Sequence, residues 1–419
     1  MSFYSHSVGR STSVPREGDA SLLAGHEAEA WVLNTNAGLR LLAEVTKVST
    51  PRPADIDRMR GLAVPEAVAA AIRLASCRAR ARTKFTRAEC LWLDPVGLEQ
   101  ATSEVVARHK ARRFQAGSLV VDLCAGIGGD TMAFADRGPV LAVDLDHGMC
   151  RRLAWNAAAY EVGDRVLPCQ CRAEGFSIPG KAWVHIDPDR RVKHHVRARS
   201  VSDYAPGLAF LQRLSREGRA GAIKLGPASD FSSHFAGPGF EVELISLHGE
   251  CKEATVWFGA PVRCSRRATV LPEDVTWTDR DGGDQKADRA PIGPISEFLY
   301  DPDPALLRSG LLDSFALAHG LYRIAADVDY LTSEKLLVTP FLAAFEVEDV
   351  HRLDLKQLRR LVVEQDLGPL EIKVRGLDIA PETLRQQLRA RGARPATLIL
   401  AGGAGPARAI LAQRQGTRA

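Results

Sequence analysis

None of the eight cysteines in this 419-residue chain belongs to a CxxC pair; the nearest two are Cys169 and Cys171, separated by Gln170. Structural zinc sites are built on thiolates in repeated pairs separated by about two to four residues, so no metal site is expected, and the thiols read as free cysteines of a reducing cytoplasm. No apolar run approaches the roughly 20 residues that a membrane-spanning helix needs. The first twenty residues, MSFYSHSVGRSTSVPREGDA, lack the apolar centre of a secretory signal. No segment recurs at a fixed period, which excludes solenoids and propellers. Neither sign of charge is in large excess: 55 Lys and Arg against 51 Asp and Glu leave a net charge of +4. That balance permits a nucleic-acid partner without requiring one. A cytoplasmic protein with no membrane partner is expected, of unknown oligomeric state.

What is present is ordinary globular composition, 45% hydrophobic and 25% charged, at a length that suits two or three domains. Residues 1–20 are polar and read as a flexible tail. Residues 21–113 follow a helical period: Pro65 opens the run EAVAAAIRLASCRARAR, and Thr102 or Ser103 can cap a helix over SEVVARHKARRF. From Gly117 the period changes. SLVVDLCAGIGG is a short apolar run that ends in glycines, as a buried parallel strand entering a tight turn does. Strands then alternate with helices as far as residue 225, which implies a parallel sheet covered on both faces. EVELISL and ATVWFGA are joined only by HGECKE, a link short enough to make them an antiparallel hairpin. The expected fold class is therefore α/β, a Rossmann-like sheet over residues 114–262 with one antiparallel hairpin strand. Residues 263–295, rich in charge, Gly and Pro, read as a linker. Residues 296–419 read as a small α/β domain that begins helical.

Four elements carry candidate chemistry. The first is Asp122-Leu-Cys124-Ala-Gly126-Ile-Gly128-Gly129-Asp130, placed between a strand and a helix. Its glycines let backbone approach a ligand, and the helix start offers free N–H donors. Thr131 stands where the dinucleotide fingerprint needs its third glycine, so that fingerprint is incomplete. The carboxylate of Asp122 suits instead a cofactor that bears an amino-acid group. The second is Asp144, eighteen residues after Gly126, at a strand end from which a carboxylate can accept ribose hydroxyls; Asp146 is the alternative. The third is Glu174, in the loop after the next strand, where it can hold an exocyclic amine of adenine or simply be solvated. The fourth is His185-Ile-Asp187-Pro188-Asp189-Arg190-Arg191 at the carboxyl end of the fourth strand, the end that faces the crevice in doubly wound sheets. His185, Trp155 and Trp183 read as packing residues.

Residues 114–262 resemble class I S-adenosylmethionine-dependent methyltransferases, above all the trimethylguanosine synthase branch of RNA methyltransferases. The shared pattern is D-x-x-x-G-x-G-G-[DN]-[TA], met by Asp122 to Thr131. Most of residues 60–419 is similar to a bacterial family in which this domain is followed by a THUMP-like domain. The stretches that carry this likeness are LEQAT, DPDRR, HGECKEA, FLYDPDPALLRSGL and GPLEIKVRG to PETLRQQL. The resemblance implies S-adenosyl-L-methionine as cofactor, held by Asp122, Cys124, Gly126, Gly128, Asp144 and Glu174. It implies catalytic roles for Asp187, Pro188 and Arg190, of which the first two would orient the acceptor, and RNA as partner. Amino-methylating relatives carry [DNS]-P-P-[YFW] after the fourth strand; here the second proline and the aromatic are replaced by Asp189 and Arg190. Arg190 can stack on a base, or Arg190 and Arg191 can grip an anionic substrate group. Basic residues between Arg73 and Arg113, and Lys356, Arg359, Arg360, Lys373 and Arg375, are candidate contacts to an RNA backbone. Two other readings stay open: a methyltransferase for a small anionic molecule or a protein, and a non-catalytic RNA-binding protein with a relict methyltransferase fold.

Overall fold

The computed structural model describes residues 25–48, 50–190, 201–282, 289–403 and 405–416. The tail expected over residues 1–20 lies outside them, as does Arg191. The chain divides into two compact units, Met1–Trp183 and Val184–Ala419. Among the described residues no helix is long and apolar enough to cross a membrane.

The first unit opens with six helices: α1 (Gly25–Asn34), α2 (Asn36–Thr46), α3 (Pro53–Arg60), α4 (Pro65–Ala81), α5 (Pro95–Gln100) and α6 (Glu104–Ala111). Proline occupies the first turn of α3, α4 and α5, where its missing N–H is no loss and its fixed φ suits the helix. Along α4, Ala67, Ala71, Leu74, Cys77 and Ala81 recur at spacings of three and four and are all buried, packed with Trp31, Leu41 and Val45 of α1 and α2. Then come β1 (Val120–Leu123), α7 (Gly129–Ala135), β2 (Val140–Asp144), α8 (His147–Ala159) and β3 (Val166–Gln170). The three strands are parallel, in the order β1-β2-β3. The last residue of the unit begins β4 (Trp183–Ile186), where the Trp183 N–H donates to the Leu119 carbonyl just before β1.

In the second unit β4 is followed by β5 (Asp189–Arg190), β6 (Tyr204–Ala205), α9 (Leu208–Arg216), β7 (Gly221–Leu225), β8 (Phe240–Leu247), β9 (Glu250–Phe258), β10 (Arg266–Leu271) and β11 (Val275–Thr278). β4 pairs in parallel with β7. β9 runs antiparallel between β7 and β8, the hairpin that the short HGECKE link requires. β8 continues in parallel to β10, and β10 pairs antiparallel with β11.

These last two strands lie in the stretch expected to be a linker. The reason is chemical. Arg267 and Thr269 of β10 occupy a buried but polar sheet face, where Arg267 pairs with Glu241 at 2.7 Å and Thr269 donates to Glu243; they alternate with the buried Ala268 and Val270, but over only six residues set in a charged, Gly-rich stretch. Glu241, Glu243 and Glu253 are all buried on this face. Trp257 donates to Glu243 at 2.8 Å and Thr255 to Glu253 at 2.8 Å. A buried carboxylate is tolerable only with such donors.

The C-terminal region begins with a strand rather than a helix. Its elements are β12 (Phe298–Pro302), α10 (Pro304–Arg308), α11 (Leu312–Ala318), β13 (Tyr322–Ala325), β14 (Val328–Ser333), β15 (Leu342–Arg352), α12 (Leu355–Glu364), β16 (Leu367–Arg375), α13 (Pro381–Leu388), β17 (Arg394–Ala401) and β18 (Arg408–Gln415). Its strands form one sheet in the order β13-β14-β12-β15-β18-β17-β16. Leu358 and Leu361 of α12 and Leu384 and Leu388 of α13 pack on one face over Leu370, Leu398 and Leu411; Tyr330, Phe345 and Ile410 fill the other.

Candidate active site

The turn after β1 is fixed by side chains from four directions. Cys124, Gly126 and Gly128 all take positive φ, at 59°, 55° and 92°. Glycine suits such a backbone; Cys124 adopts it against the usual preference of a side-chain-bearing residue. The Gly126 N–H donates to Asp144 Oδ2 at 2.8 Å, and Asp144 Oδ1 accepts the Asp146 N–H at 2.9 Å. Both oxygens of the carboxylate at the end of β2 are thus oriented by backbone. Burial pushes the Asp144 carboxyl above its ordinary value, outweighing these two donors, and the nearby Asp146 and Asp122 add to the rise. One residue on, the Ile127 carbonyl accepts the Asn156 side-chain amide at 2.9 Å, and Asn156, buried on α8, also exchanges two hydrogen bonds with the Trp92 backbone. At the start of α7, Asp130 accepts the Thr102 hydroxyl at 2.6 Å and lies 2.8 Å from Lys110 Nζ, whose side chain has no exposed surface. Thr131 donates to Asp122 Oδ2 at 2.5 Å, and Asp122 is buried under the turn.

Of the residues singled out in the sequence, Asp122, Cys124, Gly126, Gly128 and Asp144 therefore converge on one turn. The backbone that leaves β3 joins them, through the Cys171 N–H donating to the Asp144 carbonyl at 2.9 Å. Glu174 is exposed on a short 3-10 turn three residues further on. A positive-φ loop with a helix start behind it and a strand-end carboxylate beside it fits an adenosyl cofactor with an amino-acid group. Asp144 supplies acceptors for hydroxyls, and the loop supplies backbone contacts.

The acceptor residues fall in the second unit. Pro188 is buried. Asp187, half-buried, takes Lys224 Nζ of β7 on Oδ2 at 2.6 Å. Arg190 pairs by backbone with Tyr204. Tyr204 is itself buried, its hydroxyl bonded to Ser229 and to the Gly226 N–H, so it offers no open ring to a base. Lys224 escaped the sequence reading. The available signal was a lysine inside the otherwise apolar strand GAIKL.

Much of the basic surface expected to meet RNA is engaged within the protein. Lys110 is buried against Asp130. Lys84 Nζ donates to the carbonyls of Leu98, Glu99 and Ala101 at 2.7, 3.0 and 2.9 Å, closing the end of α5. Arg78 caps the Leu91 carbonyl, and Arg87 pairs with Glu161 at 2.9 Å. In the C-terminal sheet Lys373 and Arg375 both bind Asp301, at 2.6 and 2.7 Å.

Residues 117–203 match the family model described as RNA cap guanine-N2 methyltransferase, and residues 342–414 the one described as THUMP domain-like. The chain is 35% identical over 312 residues to a protein described as an uncharacterized S-adenosylmethionine-dependent methyltransferase, found in two strains of Mycobacterium tuberculosis, a match that spans 72% of this chain and 82% of the relative. In fold it is similar to the crystal structure of a Porphyromonas gingivalis W83 protein provisionally assigned to the methyltransferases, at 20% identity and a TM-score of 0.72, over 94% of this chain and 100% of the other.

Proposed function

Because the chain belongs to the S-adenosylmethionine-dependent methyltransferases and carries a THUMP-like domain at its carboxyl end, we propose that its methyl acceptor is RNA, at a base amino group. The observation that carries this is the joint occurrence, on one chain, of a segment similar to RNA cap guanine-N2 methyltransferases and a THUMP-like segment. When bound, S-adenosylmethionine supplies a methyl group on a sulfonium. In our reading Asp144 accepts the ribose hydroxyls and Glu174 meets the adenine, while backbone of the turn from Cys124 to Gly128, braced by Asp122, receives the amino-acid end. Asp187 and the Pro188 carbonyl accept N–H bonds from the target amine and so direct its lone pair along the line of transfer. The new N–C bond forms as the S–C bond breaks, and the surplus proton of the amine leaves to water. Arg190 and Arg191 contact the substrate.

The full-length protein incubated with methyl-tritiated S-adenosylmethionine and total RNA from a strain lacking the gene should label that RNA, and nucleoside mass spectrometry should find a methylated base. Asp187→Ala should lose the label while binding cofactor normally. A second reading, a small anionic or protein acceptor, is favoured by the missing aromatic after Pro188 and by the internal engagement of Lys84, Lys110, Lys373 and Arg375. Label confined to the small-molecule or protein fraction of the same extract would establish it and overturn the RNA proposal.

A further inference from the structure

Lys224 interrupts the strand Gly221–Leu225, whose other four residues are buried, and its own side chain keeps only 11% of its surface exposed. An ammonium so far withdrawn from water is retained where a partner compensates it. Asp187 is such a partner, reached across 37 residues of sequence at 2.6 Å. The register explains the meeting: Ile186 of β4 lies opposite Ile223 of β7, so the next residues, Asp187 and Lys224, come together at the carboxyl end of both strands. The charged and titratable groups on the same sheet face, among the described residues, include His185, two residues before Asp187 and buried, Glu253 of β9, which takes the hydroxyl of Thr255, the residue opposite Lys224, and further along the sheet Glu243, Glu241 and Arg267.

We propose that Lys224 is a positioning residue for methyl transfer: it holds the Asp187 carboxylate ionised and in one orientation, as an acceptor for N–H groups. The proposal rests on the reading of Asp187 as the group that receives the acceptor's hydrogen bond. A carboxyl that took up a proton would donate instead of accept, and a strand-end aspartate without its ammonium could turn about two side-chain bonds. Lys224 acts on both, through Asp187 rather than on substrate. A lysine that merely braced β4 against β7 would affect stability and nothing else.

The test compares Lys224→Met, Lys224→Arg and Asp187→Asn in the full-length chain. The Asp187 carboxyl is followed by carbon-13 NMR titration, assigned through Asp187→Asn, a readout that needs no substrate. Methyl transfer is followed against pH with total RNA from the deletion strain. Lys224→Met should raise the Asp187 titration, move the acid limb of the rate profile up with it, and lower kcat at the pH values of that limb, with S-adenosylmethionine affinity unchanged. Lys224→Arg should restore all three. An unmoved titration, or a lower melting temperature with kcat and pH profile intact, would reduce Lys224 to a brace and overturn the proposal. Asp187→Asn at the wild-type rate would instead sink the reading on which it rests.

Discussion

The turn after β1 and the end of β4 are both strand ends assigned chemistry, yet they are held in opposite ways. The turn is fastened at Gly126, Ile127, Asp130 and Thr131 by Asp144, Asn156, Lys110 with Thr102, and Asp122, side chains from both neighbouring strands, from α8 and from the segment around α6. At the end of β4 the Asp187 carboxylate meets Lys224 of β7, and β5 and β6 form a two-residue strand pairing. The first arrangement fixes backbone, which must keep one shape to receive a cofactor common to a whole family of enzymes. The second orients one side-chain carboxylate at a strand end by an ammonium from the neighbouring strand.

The sharpest way to break this contrast is Lys110→Met. It removes the buried ammonium that faces the Asp130 carboxylate and should destabilise the protein by about 3–5 kcal/mol, read by chemical denaturation. Lys224→Met, at a half-exposed partner, should be milder. The double replacement Lys110→Met with Asp130→Leu should recover much of the loss, since an apolar pair of similar volume replaces a buried ion pair at little net penalty. Equal losses for Lys110→Met and Lys224→Met would dissolve the contrast.

A smaller effect comes from acid. The Asp301 carboxyl is itself raised by burial, but Lys373 and Arg375 more than offset this and hold it below the usual carboxylate range. A depressed folded value means that Asp301 contributes stability above the unfolded pKa of about 3.9, and that this contribution is lost as pH falls through the lower folded value. Asp301→Asn should therefore flatten the acid slope of stability for the C-terminal sheet. A slope identical in wild type and variant would show that other groups carry it. Smallest is Cys124→Gly, which relieves a φ of 59° and should leave the fold equally or more stable, by up to about 1 kcal/mol, with cofactor affinity retained. Lost affinity would mean that the thiol, and not only the turn's shape, serves the site.

The same two strand ends differ in how far their structure is written in local sequence. The run VVDLCAGIGGD announces its strand, turn and helix within a dozen residues, and Asp144 follows at a fixed interval; both are local patterns. The hairpin of β8 and β9 was legible because its link is too short for a crossover. Lys110 was counted among surface cations because its helix carries Arg108, Arg112 and Arg113 around it, and nothing local tells a lysine that faces Asp130 from one that faces water. Lys224, Lys373 and Arg375 find their partners 37, 72 and 74 residues away. β10 was hidden because a buried strand face held together by Arg267, Thr269 and glutamates looks like solvent-facing sequence. Long-range charge pairing was the information missing in each case.

Cofactor binding at the turn after β1 is open to one direct measurement. Calorimetric titration of the full-length protein with S-adenosylmethionine, beside Asp144→Ala of unchanged melting temperature, should show saturable one-site binding that the variant loses by at least about tenfold, the scale of charge-assisted hydrogen bonds. Equal affinity in the two proteins, or no binding by folded wild type, would contradict it.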